Sequence, residues 1–376
     1  MAEQDVDTIF SAEPVRSALA AVEVASVLAD LPVLDATPVL VSPDLNYLLG
    51  LGSWLGSLQS ERGQASVLRI VHHCLTRPDA EDVHRAAALV LLEQVGNQPT
   101  VALARRRTLL DSIDIDDLPL TLQLEVKRSR ISLTIPIDSG AVDANPFQRA
   151  FWSNASQSRW LSMSASTSVG KSFIVRQWIA DRLADTPSFT GIYVVPTRAL
   201  IDEVSRDLRG ALPSTVAVVQ FPWDARAGET EHEIYVLTQE RLHLLLNRFP
   251  QLVAHLVFVD EAQKFGDDSR GVLLQRTLDD ITRRSDQTQV IFASPLSDNP
   301  DLLLEGAPST GSSVSMIGQS VTVLQNLLWV NQVSRKPTRW TVDLIGAHNS
   351  TRLGEFDLPA RPTPESKRLP FVAVAL

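Results

Sequence analysis

Apolar positions recur three and four apart through residues 17–31, putting Leu19, Val22, Ala25, Val27 and Leu28 on one broad face. That spacing predicts an amphipathic helix, stopped by Pro32. Residues 64–75 and 80–95 repeat it and predict two more helices, punctuated by Pro78 and Gly96. Over 120–137 the period drops to two. Leu122, Leu124 and Val126 alternate with polar residues, and Ile131, Leu133, Ile135 and Ile137 resume the alternation beyond the polar stretch 127–130. This alternation predicts a β-hairpin.

The texture changes near residue 140. Short apolar runs at 160–165, 191–195, 215–221, 234–238, 256–260 and 289–294 read as strands. Helical patterns beginning near Lys171, Ala199, Gln239 and Gly271 separate them. Strands alternating with helices of this length predict βαβ units and a parallel sheet, which binds ligands at the carboxyl ends of its strands. The expected organisation is therefore a mostly helical domain over 1–140, an α/β domain over 141–300, and a looser tail over 301–376. In that tail, residues 307–320 read as a Gly/Ser-rich loop. Residues 319–330 and 339–345 read as strands, 349–368 as a polar linker, and 369–376 as an apolar, strand-like end. No internal repeat or low-complexity tract is present.

Composition narrows the function classes. The chain has 376 residues with 34 Lys or Arg against 44 Asp or Glu, a net charge of -10. Residues 1–140 hold 11 basic and 19 acidic residues, so most of the excess lies there. A protein that holds nucleic acid by a global positive field is excluded. The single cysteine, Cys74, excludes a disulfide scaffold and fits a reducing, cytoplasmic setting. No apolar run approaches the length of a membrane span, so no membrane partner is expected.

The strongest chemical signal is residues 165–172, ASTSVGKS, between a predicted strand and a predicted helix. Small residues let successive backbone N–H groups of Ala165, Ser166, Thr167, Ser168 and Val169 wrap phosphates, and the helix N-terminus adds a favourable dipole. Gly170 stands where the chain must come close without a Cβ. Lys171 would reach the β- and γ-phosphates of ATP, and Ser172 would ligate Mg²⁺. The second signal is LVFVDEAQ at 256–263, an apolar strand ending in adjacent carboxylates 89 residues after Lys171. Asp260 would hold Mg²⁺ and Glu261 would activate the attacking water. Alone, either segment is also a common structural turn; paired, they point to nucleotide chemistry.

These segments resemble the superfamily-two DEAD/DEAH-type helicases, and four more carry the resemblance in the expected order. Asn145-Pro146-Phe147-Gln148 lies where that family puts its adenine-reading glutamine, Gln148. VVPTRAL at 194–200 and TQERL at 238–242 resemble its motifs that touch the nucleic-acid backbone. The resemblance thus implies DNA or RNA contacts for Thr197, Arg198, Thr238 and Arg241. FASP at 292–295 stands at its Ser-Ala-Thr coupling motif, and Gln263 is the fourth residue of its DEAD box. The match covers about 145–299 and implies a RecA-like ATP-binding lobe. It departs from the family at Ala165, Gln263 and Pro295. Thr238 is a helix cap in either reading, and Arg198 and Arg241 are also ordinary surface charges.

Such a motor has two RecA-like lobes, yet only 81 residues follow Pro295, fewer than the roughly 150 a further lobe needs. The resemblance therefore implies an incomplete motor with low intrinsic activity and a companion protein supplying the second lobe. The alternative is a non-catalytic nucleotide-binding module that docks a partner. Other clusters are weaker: His72-His73-Cys74 with His84 lacks metal-ligand geometry on a helix, Arg105–Arg107 sits among acids, and Trp152, Trp160 and Trp178 read as core.

Overall fold

The computed structural model describes residues 8–36, 43–58, 60–138, 140–224, 230–265, 269–295, 297, 299–307, 312–318, 320–346 and 350–360. Contacts divide the chain into two units, Ser132–Ser320, and Met1–Ile131 with Val321–Leu376.

In Ser132–Ser320, seven strands form one parallel sheet: β1 (Trp160–Ser164), β2 (Phe189–Val194), β3 (Ala217–Val219), β4 (His232–Leu237), β5 (Leu256–Val259), β6 (Gln289–Ser294) and β7 (Ser313–Ile317). Their order is β7-β1-β6-β5-β2-β4-β3. The central strands are apolar on both faces because helices cover both, and β1 and β5 are buried along their whole length. Helices Lys171–Ala184 and Arg198–Ala211 pack one face through Ile174, Val175, Trp178, Ile201 and Leu208. Helix Gln239–Arg248 packs the other through Leu242, Leu245 and Leu246. Trp152 and Trp178 meet edge to face with centroids 5.0 Å apart inside the core, and Trp160 is buried.

Register sets the chemistry. Ser164 pairs with Ser294 across β1 and β6, and Val194 pairs with Val259 across β2 and β5. The residues that follow these strands therefore emerge level with one another.

Two stretches fold differently from their sequence pattern. The hairpin expected at 120–137 is a helix, Leu120–Leu133, followed by a short hairpin of Thr134–Ile137 with Gly140–Asp143. The backbone of 120–133 has no strand partner, so it satisfies its polar groups internally as a helix. Gln123 Nε2 fastens the helix start to the Asp116 and Leu118 carbonyls, both at 2.8 Å, and Arg130 forks onto the buried carboxylate of Glu93 at 2.5 and 2.9 Å. The loop expected at 307–320 contains β7. Val314 and Met316 turn inward onto the core, while Ser313, Ser315 and Ile317 face out, as an edge strand with small residues can.

The other unit stacks helices Glu13–Asp30, Leu45–Gly56, Glu61–Thr76, Asp82–Gln94 and Gln98–Arg106 around Leu48, Leu55, Ile70, Leu89 and Leu92. Its antiparallel sheet orders Asp35–Ala36, Ser350–Asp357, Arg339–Ile345 and Leu328–Gln332. Helix Glu13–Asp30 serves both cores, with Ala18 and Val22 toward the helices and Val24 and Val27 toward Trp340, Val342 and Phe356. The polar linker expected at 349–368 is thus partly a strand, because Leu353 and Phe356 have this small core to enter. Over the described part of 301–376 the chain forms β7 and this sheet. No second parallel sheet is evident there. The apolar end 369–376 lies outside the described residues.

The His-Cys cluster is structural. His72 lies 2.8 Å from Ser26 Oγ and 3.4 Å from Asp30, while His84 Nδ1 accepts the Glu81 N–H at 3.1 Å. Burial pushes the Cys74 thiol up to about 11. Among the described residues no group of His, Cys, Asp and Glu could hold a metal ion, and no helix is long and apolar enough to cross a membrane.

Candidate nucleotide site

Six residues join β1 to helix Lys171–Ala184, and their conformation follows from their small side chains. Thr167–Val169 make one 3-10 turn, and Gly170 takes φ +84°, a left-handed position that glycine adopts at little cost. A Cβ at Gly170 would sit 2.5 Å from Gln148 Nε2. Ser166 is half-buried, Thr167 and Ser168 are exposed, and Ala165 and Val169 anchor in the core.

Lys171 opens the helix but points back into the loop, only 8% exposed, and donates from Nζ to the Ala165 and Ser166 carbonyls at 2.6 and 2.9 Å. Burial lowers its pKa, opposed by the charges of Asp260 and Glu261. The ammonium is therefore held by two main-chain carbonyls of its own loop, in which the Ala165 and Val169 N–H groups, expected to face phosphate, are instead engaged by the Ser294 and Ser166 carbonyls at 3.3 Å each.

Asp260 follows β5, level with this loop. Its Oδ1 accepts the Glu261 N–H at 2.9 Å, and its Oδ2 accepts the Tyr193 hydroxyl at 3.1 Å. Burial raises the Asp260 pKa, partly offset by these two bonds. Burial and then the Asp260 charge hold Tyr193 well above its usual value. Asp260 thus rests on Tyr193, a residue that the sequence reading passed over as part of an apolar strand. Glu261 has φ +47°, a strained conformation for a residue with a Cβ, and its carboxylate pairs with Lys264. Gln263 lies exposed on the Ala262–Phe265 turn.

A cavity of about 140 Å³ is lined by Thr167, Lys171, Ser172, Asp260, Glu261, Ala293, Ser294 and Pro295. It joins the phosphate loop, the carboxylates and the FASP segment. FASP is tied to the loop by the Ala165 N–H on the Ser294 carbonyl at 3.3 Å, and two residues beyond it Ser164 Oγ donates to the Ser297 carbonyl at 2.9 Å and accepts its N–H at 2.6 Å.

Gln148 stands behind the loop. Asn145 and Gln148 form a capping box at the start of helix Pro146–Ala155. Gln148 Nε2 reaches the Val169 and Gly170 carbonyls at 3.2 and 3.4 Å, and Asn145 Nδ2 reaches Val169 at 2.9 Å. Both ends of the Gln148 amide are engaged by the chain itself.

The residues expected to touch nucleic acid sit at the carboxyl ends of β2 and β4, which are neighbours. Thr197 and Arg198 are exposed at the start of helix Arg198–Ala211. Thr238 precedes helix Gln239–Arg248 but is buried, with no side-chain cap bond. Arg241 is turned inward: its Nη1 donates to the Gln220 carbonyl at 3.0 Å and its guanidinium lies 4.5 Å from the Phe221 ring centre.

Residues 145–298 match the sequence profile described as DEAD/DEAH box helicase. They form a helicase-type domain of that family. Solved helicases are similar to this domain as well. The helicase Lhr of Mycobacterium smegmatis, bound to ssDNA and AMP-PNP, shares 26% identity over 46% of this chain and 26% of its own, with a TM-score of 0.40. Mss116p bound to ssRNA and AMP-PNP shares 16% over 43% and 37%, at 0.39. The Hef helicase domain of Pyrococcus furiosus shares 17% over 45% and 37%, at 0.36. The chain thus spans between about a quarter and two fifths of the length of these structures. No match is found among curated proteins.

The helicase domain fits a nucleoside triphosphate with Mg²⁺ on its own geometry. A left-handed glycine in the loop, a buried ammonium held by loop carbonyls, and a serine and a carboxylate lining the same cavity are the groups such a ligand requires.

Proposed function

We propose that the helicase domain is the nucleotide-binding lobe of a nucleic-acid-dependent ATPase. The observation that carries this is Lys171, a buried ammonium resting on the carbonyls of its own loop and facing the Asp260 carboxylate across one cavity. Ala165–Lys171 would cradle the phosphates, with Lys171 Nζ leaving the two carbonyls for phosphate oxygen. Ser172 and Asp260 would hold Mg²⁺, and Tyr193 would orient Asp260. When bound, ATP with Mg²⁺ supplies the anhydride bond and the charge neutralisation its cleavage needs. Glu261 would exchange Lys264 for the attacking water, with Gln263 beside it at the solvent side. Gln148 would read adenine only by giving up one of its bonds to the loop or to Asn145. Thr197, Arg198, Thr238 and Arg241 are the candidate contacts to a DNA or RNA backbone. The arginines that a second lobe brings to such a reaction would come from a companion protein.

The test is binding of a fluorescent ATP analogue, followed by phosphate release with and without single-stranded RNA or DNA. The chain is expected to bind the analogue and to hydrolyse ATP slowly. Lys171→Ala should weaken binding at least about tenfold, the loss of a charge-assisted contact. Unchanged binding in that variant overturns the site. Nucleotide binding with no hydrolysis under any addition supports the non-catalytic alternative.

A further inference from the structure

A second feature stands at the carboxyl end of β3, beside the ends of β2 and β4. Residues 221–224 make a tight turn with Pro222 at its second position, closed by the Asp224 N–H on the Phe221 carbonyl at 3.1 Å. The turn presents Trp223 with 58% of its surface exposed. Its indole stacks on Phe221, with centroids 5.1 Å apart and planes within 24°. Behind Phe221 lies the Arg241 guanidinium, 4.5 Å from the ring centre and fixed by its bond to Gln220. Three planar groups are layered in the order Arg241, Phe221, Trp223.

From this geometry we infer that Trp223 is a stacking platform for one base of a single strand. This rests on the nucleic-acid reading above and adds a base contact to a site expected to touch only backbone. The turn and the backing arginine hold the indole in place before any ligand arrives, so little ordering remains for binding to impose. A base on the indole would be the next layer of an existing stack. One indole face matches one base, whereas a stable protein interface needs about 800 Å² from each partner. Stacking tolerates any base, so the contact would grip a strand without reading its sequence. Arg241 then acts as a positioning residue for the platform rather than as a free phosphate contact.

The experiment measures anisotropy of short labelled oligo-dT and oligo-U, and of a strand of equal length whose sugars carry no bases, with the full chain and its Trp223→Ala and Trp223→Phe variants. The unaltered chain should bind an intact strand about tenfold tighter than the baseless one. Trp223→Ala should remove that difference while leaving the baseless strand and the ATP analogue bound as before. Trp223→Phe should keep most of it. Equal binding of the intact strand by the chain and Trp223→Ala overturns the platform alone, as does an equal loss on both strands. Weaker binding of the ATP analogue without an effect on strands would mean that Trp223 stacks a free nucleotide, and also overturns it. Failure of the unaltered chain to bind any strand overturns both this and the nucleic-acid reading.

Discussion

Lys171 and Asp260 are charges placed where burial works against them. Burial lowers the lysine pKa and raises the aspartate pKa, so each group weakens the fold in its charged form. For Asp260 the sign is definite: a carboxyl whose folded pKa lies above its unfolded value destabilises at higher pH, and the loss is relieved as pH falls through the folded pKa. Asp260→Asn should therefore raise the melting temperature of the nucleotide-free chain by a few degrees at neutral pH. The gain should shrink toward acidic pH as the native carboxyl takes up its own proton. The same variant should lose the Mg²⁺-dependent part of nucleotide binding. Scanning fluorimetry across pH, with and without Mg²⁺ and nucleotide, reads both; a melting temperature lowered at neutral pH contradicts the account. Stability given up at a site in this way is the pattern of a functional carboxylate.

Among the elements, β7 shows how closely the loop is packed. The Gly318 N–H donates to the Ser164 carbonyl at 2.6 Å, and a Cβ on Gly318 would fall 2.5 Å from Phe147 and 2.6 Å from the Ala165 Cβ. Gly318→Ala should cost about 1–3 kcal/mol by overpacking and weaken nucleotide binding through Ala165. Adding Phe147→Leu should restore part of both, measured by denaturant melts and analogue binding. The same element marks the reach of the sequence. β1, the phosphate loop and their helix were legible because strand, small residues and helix start lie within a few residues of one another. The Asn145–Gln148 capping box went unread, because Gln148 entered through the resemblance as an adenine contact rather than as a helix cap. β7 was not, because its partner lies some 150 residues earlier in the chain and its own residues are mostly small. The helix Leu120–Leu133 was misread because Leu122, Leu124 and Val126 alternate, yet only Val126 is buried. The alternation has no sheet to serve. Arg241 was legible as a cation beside a strand end, but its turn toward Phe221 depends on the distant β3.

For the whole molecule, a net charge of -10 cannot draw a polyanion from a distance, so any grip on nucleic acid must be local. With Arg198 exposed and Arg241 partly engaged by the chain, at most two basic residues among the described residues of the site reach phosphate. The salt dependence of single-strand binding should then be shallow, with log K falling no more steeply than about 1.5 per decade of salt. Anisotropy titrations over a range of salt concentrations measure the slope; a steep one would mean that basic residues elsewhere do the holding.

Ser132–Ser320 is inserted between the two parts of the helical unit. The later part is tied to the earlier by bonds that span most of the chain, the Val321 N–H to Gln64 Oε1 at 2.9 Å and Asn97 Nδ2 to the Thr322 carbonyl at 3.1 Å. During synthesis the first helices therefore leave the ribosome long before the segment that completes their core. The unit Ser132–Ser320, whose residues are contiguous, can finish first. Birth order and assembly order are reversed for the N-terminal helices, which must wait with apolar surface uncovered. The expected remedy for poor expression is slower translation or a chaperone that shelters nascent helices, rather than added ligand for the site.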